Sequence, residues 1–279
     1  MKKLITLSLI LFIPLLASAQ LNKNKPDAIK GVGIKEHLGD IVPQNIRLAR
    51  ANGDSVLLSD LLNQGKPVIL NPGYYECPQL CSLIRMGILK SINKIDWAPG
   101  KDFDILTFSI DPKEHSDLAR DEKQHMVSQL KDPENGDGWY FTTGKEEDIH
   151  KLTEAVGFGF KYNKKKGQYA HNAGIIFLSP KGKITRYLYG IDYKKLDMKN
   201  ALYEAADGKI GTTVDRIILC CYQYDPDAGS YVPVAFNIMR VGGIATASIL
   251  GVLLGMLWLK EKAFGSKKKK KKNSDDELS

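Results

Sequence analysis

The sequence predicts an α/β fold with a mixed sheet flanked by helices, and three observations lead to this fold class. Apolar runs of strand length alternate with segments of helical periodicity along the middle of the chain. The last two strand-like runs are joined by a short turn and predict an antiparallel hairpin. About 200 residues of ordinary apolar content lie between two apolar terminal stretches, which is enough for the core of one domain.

Residues 1–19 have the layout of a cleavable secretory signal peptide. Two lysines open the chain, an apolar run follows from Leu4 to Leu16, and the small residues Ala17-Ser18-Ala19 precede Gln20. We predict cleavage before Gln20. An uncleaved amino-terminal anchor is the alternative, but the apolar run is short for a membrane span of roughly 20 residues.

Residues 241–259 form a second apolar stretch, which carries no charge and is long enough to cross a membrane. We predict a transmembrane helix here, with a buried core helix as the alternative. The lysine-rich tail, residues 260–279, marks the following side as cytoplasmic by the positive-inside rule. The expected location is therefore the cytoplasmic (inner) membrane, with a single C-terminal span and the functional domain on the periplasmic side.

The formal net charge of +8 lies mostly outside the predicted domain. The tail holds eight lysines against four acidic residues, and further positive charges are Lys2, Lys3 and Arg240 at the membrane edge. Without these segments the domain carries only about +1. The basic composition therefore follows from membrane topology and does not indicate nucleic-acid binding.

The elements of the chain can be predicted in order from its amino terminus. Residues 20–45 are polar and turn-rich and are expected to form an arm around the domain, which we place at residues 46–212. Asn52-Gly53 predicts a hairpin from Ile46 to Leu58. Further predicted elements are a helix from Ser59 to Gln64 capped by Ser59, a strand from Pro67 to Leu70, a helix from Leu80 to Ile92, a strand from Phe103 to Ile110, a helix from Asp117 to Leu130, a strand from Trp139 to Thr142, a helix from Lys145 to Val156, strands from Ala173 to Leu178 and from Ile184 to Leu188, and a helix from Tyr193 to Ala206.

Strands that alternate with helices and then close on a hairpin describe an α/β sandwich around a mixed sheet, of which the thioredoxin fold is a leading case. Residues 213–240 are left as a juxtamembrane connector between this domain and the predicted span.

Cys77 and Cys81 stand directly after a predicted buried strand. Because proline is favoured at the first helical position, Pro78 predicts that Cys77 caps the following helix, where the helix dipole would lower the pKa of its thiol. Cys81 would then lie on the same face of the first turn. Such a pair can form a disulfide, structural or redox-active, or supply two soft ligands to a metal such as Cu(I). Zinc is a poorer match, since structural zinc sites usually take four protein ligands.

Four segments of the chain carry a resemblance to a known family. NPGYYECPQLC, FSIDP, WYFTTG and YAHNAGIIFLSPKGKITRYLYG resemble the Sco/SenC family of copper-binding cytochrome c oxidase assembly proteins, over roughly Gly31 to Tyr189. The resemblance implies a thioredoxin-like fold and one bound copper, as Cu(I) or Cu(II), held by two cysteines and one histidine. Carried over to this chain, those ligands are Cys77, Cys81 and His171.

The resemblance implies a copper chaperone that delivers copper to the CuA site of cytochrome c oxidase subunit II during oxidase assembly. The alternative is a membrane-anchored thiol-disulfide oxidoreductase that reduces the client's copper-ligand cysteines, with Cys77 attacking and Cys81 resolving. A third possibility is a docking protein with an inert disulfide. No classical enzyme activity is predicted.

The other histidines and cysteines are given no ligand role. Cys220 and Cys221 are adjacent and are interpreted as small buried apolar residues, with a weaker metal or redox role left open. The histidines in polar or helical surface contexts are His37, His115, His125 and His150.

Overall fold

The computed structural model describes residues 31–62, 64–207, 222–225, 230–233, 239 and 242–257. The predicted signal peptide, Cys220, Cys221 and the lysine-rich tail lie outside these residues. The chain divides into a small unit, whose described residues are 31–34 and 158–172, and a large unit, which holds residues 35–157 and those from 173 onward.

The large unit is built on a seven-stranded mixed sheet with the strand order β10-β9-β4-β5-β6-β2-β3. Strands β4, β5 and β6 run parallel, and the pairs on either side of them are antiparallel. The strands are β2 (Arg47–Arg50), β3 (Ser55–Leu57), β4 (Val68–Gly73), β5 (Asp104–Ser109), β6 (Trp139–Gly144), β9 (Gly174–Leu178) and β10 (Ile184–Tyr189). This sheet flanked by helices fits the predicted thioredoxin-like class.

Among the described residues up to 207, five α-helices belong to the large unit. They are α1 (Leu58–Leu62), α2 (Leu80–Ile92), α3 (Ser116–Val127), α4 (Glu146–Ala155) and α5 (Lys195–Ala205), with a 3-10 helix at Pro133–Gly138. Helix α1 begins one residue earlier than predicted, so Ser59 lies inside it and does not cap it. The carboxylate of Asp60 instead accepts the N–H of Leu57 at 3.3 Å.

The main core cluster lies between the sheet and helices α2, α3 and α5. It joins apolar residues of β4, β5 and β9 to Ile88 of α2, Met126 of α3 and Leu202 of α5. Every residue of β4 and β5 is buried, as expected for central parallel strands covered on both faces. The carboxyl end of β4, which precedes the predicted ligand Cys77, is therefore held by a fully buried part of the fold.

The small unit is a three-stranded antiparallel sheet in the order β1-β7-β8. Its strands are β1 (Gly33–Ile34), β7 (Phe158–Asn163) and β8 (Gln168–His171). The sequence prediction contained none of these strands. A Cβ at Gly159 would lie 2.2 Å from the carbonyl oxygen of Gly31, so the pairing of β1 with β7 needs glycine there.

The carboxyl-terminal region is described only in part. Within the predicted connector, β11 (Tyr222–Asp225) pairs antiparallel with β12 (Ser230–Pro233). Residues 242–257 are helical. Over the described residues, no helix has both the length and the apolar character needed to cross a membrane. Val241, Trp258 and Leu259, at the ends of the predicted span, lie outside them.

Candidate metal centre

Cys77 lies in the turn that connects β4 to α2, at the carboxyl end of the parallel strands, where α/β folds commonly place their sites. Helix α2 begins at Leu80 with Gln79 as its N-cap, so the prediction that Cys77 caps the helix is wrong. Pro78 and Gln79 stay outside the helix and complete the turn. The Cys77 sulfur nevertheless accepts the N–H of Cys81 at 3.3 Å, and so satisfies one of the unpaired donors of the first helical turn.

Cys81 is held in the first turn of α2 with only 2% of its surface exposed. Its sulfur accepts the N–H of Tyr74 at 3.5 Å. A Cβ at Gly73 would lie 3.3 Å from this sulfur, which is closer than most real contacts, so glycine at the end of β4 lets the sulfur pack tightly. No disulfide joins Cys77 to Cys81.

The environment of Cys81 favours its protonated thiol. A hydrogen bond with Cys77 and burial both raise the pKa of the Cys81 thiol, while the Tyr74 N–H and the charge of Arg85 lower it. A metal that binds here must therefore displace a proton.

His171 is the last residue of β8 in the small unit and is 9% exposed. Its ring packs against the ring of Phe158, with 5.6 Å between the centroids. Nδ1 lies 3.0 Å from the carbonyl oxygen of Asn172, and because a carbonyl only accepts, Nδ1 must carry the hydrogen. In the neutral ring the lone pair is then on Nε2, the nitrogen suited to ligation.

Each of the three residues predicted from the sequence offers one ligand atom. The sulfurs of Cys77 and Cys81 and a ring nitrogen of His171 all lie within 4.8 Å of one another, as a group that could hold a metal ion. In the described part of the chain no other group of three or more cysteine, histidine or acidic residues has this arrangement.

Glu114 fixes the turn before Cys77, a role that the sequence analysis missed. Its carboxylate is buried and accepts the N–H groups of Tyr75 at 2.8 Å and Glu76 at 2.7 Å, together with the Ser109 hydroxyl. Burial raises the pKa of Glu114, and these hydrogen bonds oppose the rise. No local signal marks this role, since the two N–H groups of the turn are 39 and 38 residues away from Glu114 in the sequence.

Arg85 is the second support that the sequence analysis missed. Its side chain is 1% exposed, and Nε donates to the Glu122 carboxylate at 2.6 Å. The guanidinium also donates to the Ser82 hydroxyl at 3.2 Å and to the carbonyl of Tyr74. The N–H of Tyr74 in turn donates to the Cys81 sulfur. Arg85 lies one helical turn after Cys81, and this spacing was the sequence signal that could have identified it as a neighbour of that cysteine.

The remaining histidines of the domain lie outside this group. His37 is half-buried, and its Nδ1 donates to the carbonyl of Ala155 at 3.0 Å. His115 and His125 are exposed at the two ends of α3, and His150 is exposed on α4.

Comparisons with known proteins give one family match and several similar solved structures. The model of the SCO1/SenC family matches residues 39–205, more than half of the chain. Two solved structures from Aquifex aeolicus VF5, described as candidate electron transfer and electron transport proteins, are each 34% identical, with TM-scores of 0.55 and 0.50. They are matched over 62% and 60% of this chain and over 96% and 98% of their own.

A more distant structure is Arabidopsis thaliana ScoI with copper bound, which is 20% identical with a TM-score of 0.42, over 58% of this chain and 92% of its own. No curated protein matches the chain in sequence.

Proposed function

Since the chain belongs to the SCO1/SenC family, we propose that it binds copper through Cys77, Cys81 and His171 and delivers it to cytochrome c oxidase. The recipient we propose is the CuA site of subunit II, supplied during oxidase assembly. The observation that carries this proposal is the group of three ligand atoms within 4.8 Å of one another, which lies inside the family match.

The donor set fits copper. Two thiolates are soft ligands that favour Cu(I), and an imidazole suits both Cu(I) and Cu(II). The group offers three protein ligands, whereas a structural zinc site usually takes four. The bond from His171 to the Asn172 carbonyl orients the ring as the partners of metal-bound histidines commonly do.

The exposure of the two sulfurs suits transfer by ligand exchange. Cys77 is partly exposed and Cys81 is buried, so an incoming thiolate can replace Cys77 first. Each exchange replaces one metal–sulfur bond by another, so the step needs accessible ligands and no acid or base catalyst.

We also propose that a carboxyl-terminal membrane anchor keeps the domain near its client on the periplasmic side. The support is the uncharged stretch of residues 241–259, followed by the lysine-rich tail, and the signal-like residues 1–19. Tethering raises the effective concentration of the domain at a membrane-bound partner.

Copper content of the reduced full-length chain, purified in detergent, tests the ligand set. We expect about one Cu(I) per chain for the natural protein and loss of binding in Cys77→Ala, Cys81→Ala and His171→Ala. His115→Ala is the matched control because His115 is exposed and its side chain caps nothing. A parallel sample loaded with Cu(II) gives an absorption spectrum for each variant. If His171→Ala kept the full Cu(I) content and the Cu(II) spectrum of the natural protein, the three-ligand site would be wrong.

Delivery is tested by mixing the copper-loaded protein with a copper-free CuA domain of subunit II. Appearance of the CuA absorption would support a chaperone. A copper-loaded protein that transfers nothing would refute delivery while leaving the ligand set intact.

A second function, reduction of the client's copper-ligand cysteines, is favoured by the contact between the two thiols. The hydrogen bond between Cys77 and Cys81, with the first partly exposed and the second buried, suits an attacking and a resolving thiol. In this reaction the client disulfide gains two electrons and two protons while Cys77 and Cys81 form a disulfide. Full reductase activity in His171→Ala would distinguish it from the copper role.

A further inference from the structure

A cavity of about 570 Å³ lies in the large unit, away from the residues of the metal centre. Its walls come from the end of β2, the β2–β3 turn, helix α3, the 3-10 helix and β6. The volume falls in the range of small-molecule sites, roughly 300–1,000 Å³. Neither the proposed copper binding nor the thiol chemistry uses it.

The cavity carries an excess of positive charge. Arg50, Arg120 and Lys123 line it against one acidic residue, Asp137. Lys123 approaches Asp137 only to 3.7 Å, and the Asp137 carboxylate is fully exposed. Such an exposed pair is weak and leaves the cations able to bind another anion.

Arg50 provides an unused donor at this site. Its Nε is buried and has no hydrogen-bond partner among the described residues. Its guanidinium lies 5.7 Å from the centroid of the Tyr140 ring, which also lines the cavity. A buried N–H without an acceptor is costly, so a turn of the guanidinium that brings this N–H to an oxyanion bound in the cavity would be stabilising.

The rest of the wall is apolar and aromatic. Tyr140 in β6 is partly exposed and supplies the aromatic surface, and Ala51 and Val127 add aliphatic surface. Its neighbour Phe141 is 1% exposed and packs against Trp139 in the core. An inorganic anion would leave this surface without a contact, whereas an organic anion with a planar ring would cover it.

We propose that this cavity binds a small aromatic anion, with its carboxylate or phosphate oxygens held by Arg50 and Lys123 and its ring against Tyr140. Carboxylates and phosphates share the oxygen geometry that a guanidinium fork pairs with, so the two are separated by experiment.

Isothermal titration of the full-length protein with benzoate, phenyl phosphate, neutral benzamide and inorganic phosphate tests the proposal. We expect at least one of the two aromatic anions to bind. Benzamide and inorganic phosphate should each have an affinity lower than that of this anion by about tenfold or more. Whichever of benzoate and phenyl phosphate binds more tightly shows whether the site prefers a carboxylate or a phosphate. Equal binding of benzamide, equal binding of inorganic phosphate, or no binding of either aromatic anion would overturn the proposal.

Two variants connect binding to the cavity. Arg50→Gln and Lys123→Gln should each lower the affinity for the aromatic anion by about tenfold, because each removes a charged donor. Lys90→Gln is the matched control, since Lys90 is an exposed lysine outside the cavity. If Arg50→Gln does not fold by circular dichroism, Lys123→Gln decides, because its side chain is 30% exposed. Unchanged affinity in a folded cavity variant would refute the site.

Discussion

Replacing Arg85 by methionine would remove a buried cation beside the candidate metal centre while keeping a long, unbranched side chain. Arg85 is 1% exposed and donates to Glu122 at 2.6 Å. The substitution leaves the Glu122 carboxylate without this partner and removes the contact to the Tyr74 carbonyl.

The expected loss in the free energy of unfolding follows from the burial of the Arg85–Glu122 ion pair. Removing one member of a buried ion pair costs about 3–5 kcal/mol, because the other charge is left unpaired in a poorly solvated place. Since the Glu122 side chain is 20% exposed, water relieves part of that cost, and we expect about 3 kcal/mol. Lys90→Met is the control, because its pair with Asp192 is exposed on both sides and is worth about 0–1 kcal/mol.

Urea unfolding of the metal-free, reduced proteins measures the loss of stability in Arg85→Met and in Lys90→Met. The double variant Arg85→Met/Glu122→Gln should recover part of the loss, because no charge then stays buried without a partner. If Arg85→Met and Lys90→Met lost the same stability, the burial argument would be refuted. If the double variant were less stable than the single one, an unpaired carboxylate would not be the cause.

Three further predictions concern packing, pH and the turn before Cys77. Gly87→Ala should reduce the free energy of unfolding by about 1–3 kcal/mol, and so lower the melting temperature, despite alanine's helix preference, because its Cβ would lie 2.2 Å from the Ile191 carbonyl oxygen. A higher melting temperature would contradict this. Burial raises the pKa of Asp104 above its ordinary value of 3.8, so its contribution to stability is greatest below that pH and is lost as the pH rises through the folded-state pKa. The stability of the natural protein relative to Asp104→Asn, measured by urea unfolding at several pH values, should therefore fall over this window, and a rise would refute it. Glu114→Gln should cost about 1–3 kcal/mol and speed amide exchange at the two N–H groups it binds before Cys77, and unchanged exchange would show that this carboxylate does not hold the turn.

The elements that the sequence predicted correctly are those whose signals lie among neighbouring residues. The helix Leu80–Ile92 has the bounds that its apolar spacing predicted. The hairpin at Asn52-Gly53 is present, with Gly53 at a φ of +90° that favours glycine. The buried strands β4 and β5 follow from their continuous apolar runs, although both have slightly different ends from those predicted.

The hairpin of β7 and β8 had a local signal that the prediction did not use. Phe158, Phe160 and Tyr162 alternate with other residues, as in a strand, and Gly167 follows in the turn with a φ of +63°. The pairing of β7 with β1 had no such signal, because it joins residues more than a hundred positions apart.

By itself the sequence determined the types of the candidate ligands and their order in the chain: two cysteines beside a strand end and a histidine much later. Only the tertiary structure decided that Cys77 stands outside the helix it was expected to cap, that Glu114 and Arg85 hold the residues around the sulfurs, and that the three candidate ligand atoms lie within 4.8 Å of one another. The physical reason is the range of the interactions. Periodicity and turn propensity act over a few residues, whereas buried hydrogen bonds and ion pairs join residues that only packing brings together.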